Sequence, residues 1–554
     1  MTAPRRIELY DTTLRDGTQG PGIALTLADK LTVTKLLDAV GFDFIEGGYP
    51  LSNPKDAEYF EQAARLDLQH AKVCAFGMTR RKGIGPQDDE GMKALVASQA
   101  PIITIVGKTW DLHVDEVLRV SRDENLDMIR DSVRFCSQAA HVDEVFYDAE
   151  HFFDGYKANP TYARQTLLAA IDGGATRLVL CDTNGGTLPT QITAVMADLL
   201  KHLPVDADAA PDSLPSLAIH PHNDSGLAVA NALAAVDAGA VQVQGTINGI
   251  GERCGNVDLI TVAANLALKY GHDCLLPDAT AKLAELSREV FRLADLPINH
   301  AAPYVGQNAF THKGGMHVHA VQRIAHSYEH VPPESVGNRR TILVSELAGA
   351  SNIVATLGDE FDLSDKAVSR KLLETVQDRE HAGYQYEFAH ASLELLAHEQ
   401  LGTPCTFWDL DHYRCIILRK ASDDLTSTEA IVKLAVRDQT EHRVGEGDGP
   451  VNALDTALRK ALRPHFPQID DVQLTDYAVR VVNPKQGTAA TVRVLIEFSV
   501  SPDQNAAPST EHSKFRTIGV HENIIDASWQ ALSDAFRLHL LKTSPQDASI
   551  QAAR

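Results

Sequence analysis

The stretch "SLAIHPHNDSGLAVANALAAVDAGA", residues 216–240, contains one complete folding unit of this chain. Its first part is a short apolar run that predicts a buried strand, and its second part has the apolar spacing of an amphipathic helix. Successive side chains of a strand point to opposite faces, so His220 and His222 point the same way. Because Pro221 has no backbone donor, we expect both histidines to lie just beyond the last paired residue.

The same strand-then-helix pattern occurs eight times in roughly the first 270 residues, a number and length typical of a (β/α)8 TIM barrel. The other seven strand segments begin at Ile7, Phe42, Ala71, Ile102, Glu144, Arg177 and Val241. An open doubly wound sheet is the alternative. Nearly every segment ends in polar residues, however, and a closed barrel brings all those ends to one face, which favours the barrel.

The rest of the chain predicts two further regions. Residues 1–277 are assigned to the barrel, 278–410 to a helical linker, and 411–545 to a C-terminal α+β domain. This domain contains an internal repeat, in which "VGEGDGPVNALDTAL" (444–458) aligns with "IGVHENIIDASWQAL" (518–532). A duplicated strand-and-helix unit predicts a pseudo-symmetric module.

Composition limits the classes of partner. The chain is 44% hydrophobic, and its apolar runs are too short for a membrane span. It opens without a secretory signal, so a cytoplasmic location is expected. The seven cysteines have no C-x-x-C pair and predict reduced thiols. A net charge of −23 repels nucleic acid and anionic lipid, so neither is an expected partner. An anionic substrate would need a local positive group, such as a metal ion or a buried arginine.

The histidine pair predicts a metal site if neighbouring strands supply further ligands; otherwise it is polar surface. Asp16 follows the first strand and Asn256 follows the eighth. In a barrel, both strand ends lie near the end of the seventh. Two imidazoles, a carboxylate and an amide oxygen suit Mn²⁺, Mg²⁺ or Zn²⁺, with coordination positions left open. Open positions are typical of a catalytic metal.

Other polar residues at strand ends each allow two interpretations. Arg15 could stabilise negative charge on a metal-bound oxygen, or form a surface ion pair with Asp16. Thr183 could bind a substrate carboxylate or cap the next helix. Glu150 could orient a substrate or metal-bound water, or be a solvated loop charge. Cys254, in "GERCGN", is expected to be a small buried residue.

Several motifs together resemble one enzyme family. These are "DTTLRDGTQ", "HPHND", "NGIGERCGN" and "FTHKGGMH", together with the C-terminal repeat. They resemble the acyl-CoA-condensing branch of the barrel metallolyases: the citramalate, 2-isopropylmalate and homocitrate synthases. The resemblance covers nearly the whole chain. Within this family, "FIEGGYPLSNPKD" and "VGNRRTILVSELAGASN" look most like the long-form citramalate synthases. Thr18 and Cys254 depart from the Glu and Thr of many members.

The resemblance implies roles for named residues. Arg15 takes the place of the active-site arginine, and Thr183 that of the contact to the keto-acid carboxylate. His317 falls where the family has a linker histidine implicated in acetyl-CoA deprotonation, and Tyr328 matches its companion tyrosine. Without the resemblance, a linker histidine would more often be a surface residue. The family's metal-ligand positions fall on Asp16, His220, His222 and Asn256.

The implied reaction joins acetyl-CoA to a 2-oxo acid that chelates the metal. The metal and Arg15 polarise the keto group, His317 removes a proton from the acetyl methyl, and the resulting enolate attacks. Water then cleaves the thioester. Pyruvate would give (R)-citramalate, for isoleucine biosynthesis; 2-oxoisovalerate, for leucine biosynthesis, is the alternative. The resemblance also implies a homodimer whose C-terminal domain binds isoleucine or leucine as feedback inhibitor.

Two other classes use the same residues. An aldolase or acyl-CoA lyase on this barrel would use the metal to break a carbon–carbon bond, but the linker motif and the repeat argue against it. A non-catalytic metal-binding protein would need neither Arg15 nor open coordination positions.

Overall fold

The computed structural model describes residues 4–206, 214–345, 349–358, 360–363, 365–419, 426–500 and 514–548. The described chain divides into two units. Unit 1 comprises residues within 1–310 and 329–340, and unit 2 comprises residues within 311–328 and 341–554. The predicted domain limits at 277 and 410 fall inside these units and stay predictions.

The described part of unit 1 contains the predicted barrel. Its strands pair in parallel in chain order, and β8 pairs with β1 to close the barrel. The strands are β1 (Glu8–Asp11), β2 (Phe44–Gly48), β3 (Lys72–Met78), β4 (Ile102–Lys108), β5 (Glu144–Glu150), β6 (Arg177–Asp182), β7 (Ser216–Pro221) and β8 (Gln242–Gly245). All eight strands fall on the predicted segments, so the TIM-barrel prediction is confirmed.

Helices follow the strands around this barrel. They are α1 (Leu27–Val40), α2 (Pro54–Ala63), α3 (Glu90–Ala97), α4 (Asp111–His113), α5 (Arg122–Ser137), α6 (Phe152–Ala158), α7 (Pro160–Gly173), α8 (Pro189–His202), α9 (Ala228–Asp237), α10 (Leu259–Asn265) and α11 (Leu283–Leu293). Local sequence sets several starts: Thr26 and Asp29 form a capping box before α1, and Asn53 caps α2.

The inside of the barrel changes from apolar to polar along the strands. Tyr10, Phe44 and Phe146 pack together there. Two residues further along β2 and β5, the same face carries Glu46 and Asp148, both buried. The carboxyl ends of the strands are therefore where buried charged groups collect.

The end of β7 differs from the prediction. His220 lies inside the strand, in register with Cys181 of β6, and only His222 lies beyond it. The His222 N–H donates to the Asp182 carbonyl on β6. Alternate nitrogens of a strand face opposite neighbours, so the Pro221 nitrogen faces β8, where pairing with β7 has already ended. The proline therefore breaks no ladder bond.

Unit 2 combines helices with small sheets. Its helices are α12 (Gly315–Arg323), α13 (Ala350–Leu357), α14 (Lys366–His381), α15 (His390–Gln400), α16 (Pro450–Leu462) and α17 (Ile524–Thr543). Two short strands, β9 (Thr311–His312) and β10 (Thr341–Ile342), pair in parallel. Two antiparallel sheets follow: β11 (Asp409–Arg419), β12 (Thr426–Val436) and β13 (Gln439–Gly447), then β14 (Val472–Val481), β15 (Val492–Val500) and β16 (Lys514–His521). The sequence interpretation missed β13 and β16.

Each copy of the internal repeat is a strand followed by a helix, β13 with α16 and β16 with α17, although these strands are the two that the sequence interpretation missed. A Cβ added to Gly445 would lie 2.5 Å from the Ala453 carbonyl oxygen, and one added to Gly519 would lie 1.9 Å from that of Ala527. These glycines let the strand backbone touch the following helix, and both pairs occupy matching positions of the repeat.

Candidate metal centre and active site

The structure brings Asp16, His220 and His222 together at the carboxyl ends of β1 and β7. One ligand atom from each residue lies within 4.8 Å of the others, and all three side chains are buried. The fourth predicted ligand, Asn256, is also buried, and its Oδ1 lies 3.0 Å from His220 Nε2. The structure therefore brings the four predicted ligands to one place, while their binding of a metal stays a prediction.

Local backbone geometry orients the Asn256 amide. Its Nδ2 donates to the Ile250 carbonyl at 3.3 Å, which turns Oδ1 toward His220. A Cβ on Gly251 would lie 2.3 Å from Asn256 Nδ2, and Gly251 has a φ of +153°. Only glycine fits this position, which explains its place in "NGIGERCGN".

The donor set fits a divalent cation. Asp16 Oδ1 and His222 Nδ1 are buried atoms without a hydrogen-bond partner among the described residues. Leaving such groups unsatisfied is costly, and a bound cation would satisfy both. A carboxylate, two imidazoles and an amide oxygen suit Mn²⁺, Mg²⁺ and Zn²⁺ alike, so the residues fit a metal ion without fixing its identity.

The charges of these groups are interdependent. Burial would raise the pKa of Asp16, but the Arg15 guanidinium and His220 outweigh it and lower that pKa well below its usual range. Burial would lower the pKa of His220, but the hydrogen bond and charge of Asp16 raise it to about 9. Burial and the neighbouring His220 lower the pKa of His222 to about 4. Without a cation, His220 is therefore the protonated imidazole, and a metal would have to displace that proton.

Arg15 is a buried ion-pair partner, so the interpretation as a surface pair is wrong. Its side chain is 13% exposed and pairs with the fully buried Glu46 and with Asp16, at 3.3 Å from Oδ2. Its guanidinium also lies 3.9 Å from the centre of the Phe76 ring. The strand β2 carboxylate thus fixes the guanidinium beside the candidate metal ligands, where it can stabilise negative charge.

A cavity of about 330 Å³ adjoins these groups and is lined by Glu150 and Thr183. Thr183 Oγ1 accepts from the His151 N–H at 2.9 Å and does not cap α8, so its hydroxyl proton can be donated to a ligand. Glu150 forms an ion pair with Lys108, and its side chain is 25% exposed. The interpretation of Glu150 as a solvated loop charge is therefore wrong.

Two further residues of this cavity were missed in the sequence. Asp148 is buried, and its Oδ1 has no hydrogen-bond partner among the described residues. Burial, with Glu46 and Asp16 adding to it, raises its pKa to about 7. Asp148 lies two residues before Glu150 on β5, so the two side chains point to the same face of the strand, and this spacing could have identified Asp148 in the sequence. Arg253 donates to the Thr183 carbonyl at 2.7 Å and to the Asp224 carboxylate, and so ties three strand-end loops together.

Cys254 is exposed, contrary to the prediction that it is buried. It lies in the loop after β8, where Arg253 has a φ of +57° and turns inward to its partners, which leaves the next side chain outside. All seven cysteines lie in described segments and are free thiols, as predicted.

His317 and Tyr328 belong to unit 2. His317 is exposed on α12, and its ring centre lies 4.5 Å from that of Tyr328. The predicted pairing of the two side chains is therefore present, while their role toward the barrel cavity stays a prediction.

Family models match three consecutive regions of the chain. An HMGL-like domain matches residues 6–288, a homocitrate synthase post-HMGL domain-like region matches 304–379, and a LeuA allosteric (dimerisation) domain matches 387–540.

Full-length relatives decide the family. The chain is 47% identical to the (R)-citramalate synthase of Geobacter sulfurreducens, over 98% of this chain and 99% of the relative. The chain belongs to the (R)-citramalate synthase family. The enzyme of that name from Aquifex aeolicus is 45% identical over 97% of this chain and 98% of its own length. A probable 2-isopropylmalate synthase from Methanopyrus kandleri is more distant, at 31% over 95% and 97%.

In the described segments, each helix is too short or too polar to cross a membrane.

Proposed function

We propose that this member of the (R)-citramalate synthase family condenses acetyl-CoA with pyruvate to give (R)-citramalate and CoA, in isoleucine biosynthesis. The observation that carries the proposal is the meeting of Asp16, His220 and His222 in a chain that aligns with named (R)-citramalate synthases over nearly its whole length. The more distant match to a probable 2-isopropylmalate synthase makes pyruvate the favoured acceptor.

In this proposal, Asp16, His220, His222 and Asn256 hold the divalent cation. When bound, the cation supplies Lewis-acid polarisation of the keto group of the 2-oxo acid. Arg15 stabilises the negative charge that develops on that oxygen, since Glu46 and Phe76 already fix its guanidinium. The Thr183 hydroxyl donates to the substrate carboxylate.

The base is proposed to be His317. Its exposed imidazole, beside Tyr328, accepts the methyl proton of acetyl-CoA directly or through water. Glu150, held by Lys108, orients the reactants or a water molecule in the cavity. His317→Ala should lower turnover at least about 100-fold, in line with the usual contribution of a general base, and leave the metal content unchanged. His319, which is exposed on the same helix, provides the control: His319→Ala should remain active.

Release of CoA thiol from acetyl-CoA tests the reaction. Pyruvate, 2-oxoisovalerate and 2-oxoglutarate would be compared as acceptors at equal concentration. We expect the highest kcat/KM with pyruvate, and (R)-citramalate as product. A preference for 2-oxoisovalerate would support the alternative of a 2-isopropylmalate synthase. The assay is needed because each extra methyl group changes kcat/KM by only about 10–200-fold, and the shape of the pocket decides whether it raises or lowers kcat/KM. No release with any of the three would refute condensation.

The C-terminal domain is proposed to form a homodimer and to bind isoleucine or leucine as feedback inhibitor. The match to a LeuA allosteric (dimerisation) domain supports both proposals, and the exposed apolar residues Ile416, Leu418 and Val481 on edge strands β11 and β14 support the dimer. Sedimentation should give twice the chain mass. Isoleucine or leucine should inhibit turnover, and deleting the chain after residue 410 should remove the inhibition while retaining some activity. A cytoplasmic location stays a prediction.

A further inference from the structure

Strand β8 carries two glutamines inside the barrel that the proposed reaction does not use. Gln242 and Gln244 are fully buried and, two residues apart, point to the same face. Glutamine is rarely fully buried without a specific partner. Both amides take part in one chain of hydrogen bonds.

This series of hydrogen bonds runs along the inside of the barrel and ends at His220. His220 Nδ1 lies 3.0 Å from Gln244 Oε1, and Gln244 Nε2 lies 3.3 Å from Gln242 Oε1. Gln242 Nε2 in turn lies 3.0 Å from Glu8 Oε2. Glu8 begins β1, at the opposite end of the barrel from the candidate metal ligands, and Arg177 donates to both of its carboxylate oxygens, at 2.7 and 3.0 Å.

The direction of every bond in the chain follows from Glu8. An ionised carboxylate only accepts, so the Gln242 amide nitrogen must face Glu8 and its oxygen must face Gln244. The Gln244 amide then donates to Gln242 and presents its oxygen to His220. An oxygen at that place requires a proton on His220 Nδ1. The remaining ring nitrogen, Nε2, faces Asn256 Oδ1 at 3.0 Å and Asp16 Oδ2 at 3.4 Å.

A reversed chain is unfavourable as long as Glu8 is a carboxylate. If Gln242 turned its oxygen to Glu8, two acceptors would face each other in the buried barrel interior, where such a contact is costly. If Gln244 alone turned, its oxygen would face the oxygen of Gln242. Arg177 forms an ion pair with Glu8 at 2.7 Å, which holds this carboxylate beside Gln242 and so maintains the direction of the whole series of hydrogen bonds.

We infer that Gln244, Gln242 and Glu8 are positioning residues that hold His220 with its proton on Nδ1, so that Nε2 is the nitrogen available to a divalent cation. The inference rests on the proposed function, since it assumes that His220 binds a cation. In a metal-binding histidine, a hydrogen bond to the ring nitrogen that does not bind the metal commonly changes metal affinity about 10- to 100-fold. In this protein, the position of the proton on His220 is set by Glu8, a residue at the other end of the barrel.

Two substitutions at Gln244 separate positioning from packing. Gln244→Leu removes the acceptor at Nδ1, and we expect it to weaken Zn²⁺ and Mn²⁺ binding to the full chain about 10- to 100-fold, measured by calorimetry. Gln244→Glu keeps an acceptor oxygen at Nδ1, and its second oxygen, as a protonated acid, can still donate to Gln242, so this variant should bind within a few-fold of wild type. Thr34→Val, another buried polar-to-apolar change in unit 1 but outside the hydrogen-bond chain, should bind as wild type.

Glu8→Gln provides the sharper test, because it touches neither the metal ligands nor their neighbours. A glutamine at position 8 can donate to Gln242, so the chain can reverse and place the His220 proton on Nε2. We expect weaker Zn²⁺ binding, again at least several-fold. In protein labelled with ¹⁵N-histidine, the Nδ1–H signal of zinc-bound His220, identified as the one missing from His220→Gln, should be lost or exchange faster with water. This test stands even if Gln244→Leu fails to fold.

The outcomes are distinguishable. If wild-type protein binds neither Zn²⁺ nor Mn²⁺, the proposed metal site itself is wrong. If wild type binds, but Glu8→Gln and Gln244→Leu bind equally tightly and keep the Nδ1–H signal, the positioning inference is overturned while the proposed function stands. If Gln244→Glu binds as poorly as Gln244→Leu, packing and not the acceptor oxygen is responsible, which also overturns it.

Discussion

Replacing Arg15 with methionine should destabilise unit 1 as well as stop catalysis. Glu46 is fully buried, and its charge is compensated by Arg15, while Tyr10 donates only a neutral hydrogen bond to it at 2.8 Å. Removing one partner of a buried ion pair leaves an uncompensated charge, which typically costs about 3–5 kcal/mol. We therefore expect Arg15→Met to lower the free energy of unfolding of unit 1 by that amount.

A second substitution should reverse the loss of stability and leave the loss of activity. In Arg15→Met/Glu46→Gln the buried charge is gone, and the glutamine oxygen can still accept from Tyr10. Most of the lost 3–5 kcal/mol should return, whereas turnover should stay at the level of Arg15→Met. The double variant therefore separates the effect of Arg15 on the stability of the barrel from its proposed effect on the charge of the substrate.

Urea unfolding followed by tryptophan fluorescence measures this effect in one unit. Trp110 is the tryptophan of unit 1, and Trp408 and Trp529 lie in unit 2. With both of the latter changed to phenylalanine, the signal reports unit 1 alone. Wild-type stability in Arg15→Met, or a double variant as unstable as the single one, would show that the buried Glu46 charge does not depend on Arg15.

Three further predictions concern stability and reactivity. Gly519→Ala should destabilise unit 2 by at least about 1–3 kcal/mol in urea unfolding, because its Cβ would lie 1.9 Å from the Ala527 carbonyl oxygen, whereas Gly449→Ala, which meets nothing within 4 Å, should cost little. Burial raises the pKa of Asp11 to about 7, from an ordinary value of about 3.9. Between these pH values the unfolded chain releases the proton and the folded chain keeps it. The free energy of unfolding of unit 1 should therefore fall by up to about 4 kcal/mol through this group as pH rises from about 4 to 7. Asp11→Asn should flatten that part of the stability profile; an unchanged profile would contradict this. Iodoacetamide should label Cys254 before any buried cysteine in peptide mapping, and equal labelling of all seven would contradict its exposure.

Much of the fold and of the candidate site was predictable because it depends on local patterns. Strand and helix periodicities gave the eight barrel units, and barrel closure then placed Asp16, His220, His222 and Asn256 together. Each of these residues follows or ends a strand, and the carboxyl ends of barrel strands share one face.

What the sequence could not supply depends on contacts between distant segments. Arg15 and Glu46 are 31 residues apart, and only the structure shows that Glu46 points inward to pair with the guanidinium. Gln242 and Gln244 alternate visibly in "VQVQG", but their connection to Glu8 requires the register of β8 against β1. The strand β13 was missed because its residues are mostly polar and exposed, as expected for an edge strand. In β16 the buried residues form one continuous run after a polar start, so the alternation typical of a half-buried strand is absent.

We propose that one divalent cation, held by Asp16, His220, His222 and Asn256, supports the condensation. The most direct measurement is CoA thiol release from acetyl-CoA and pyruvate by chelator-treated enzyme, before and after adding Mn²⁺, in wild type and in His222→Ala. We expect release by wild type only after Mn²⁺ is added, and almost none by His222→Ala at the same Mn²⁺ concentration. Equal release without added metal, or by His222→Ala, would contradict it.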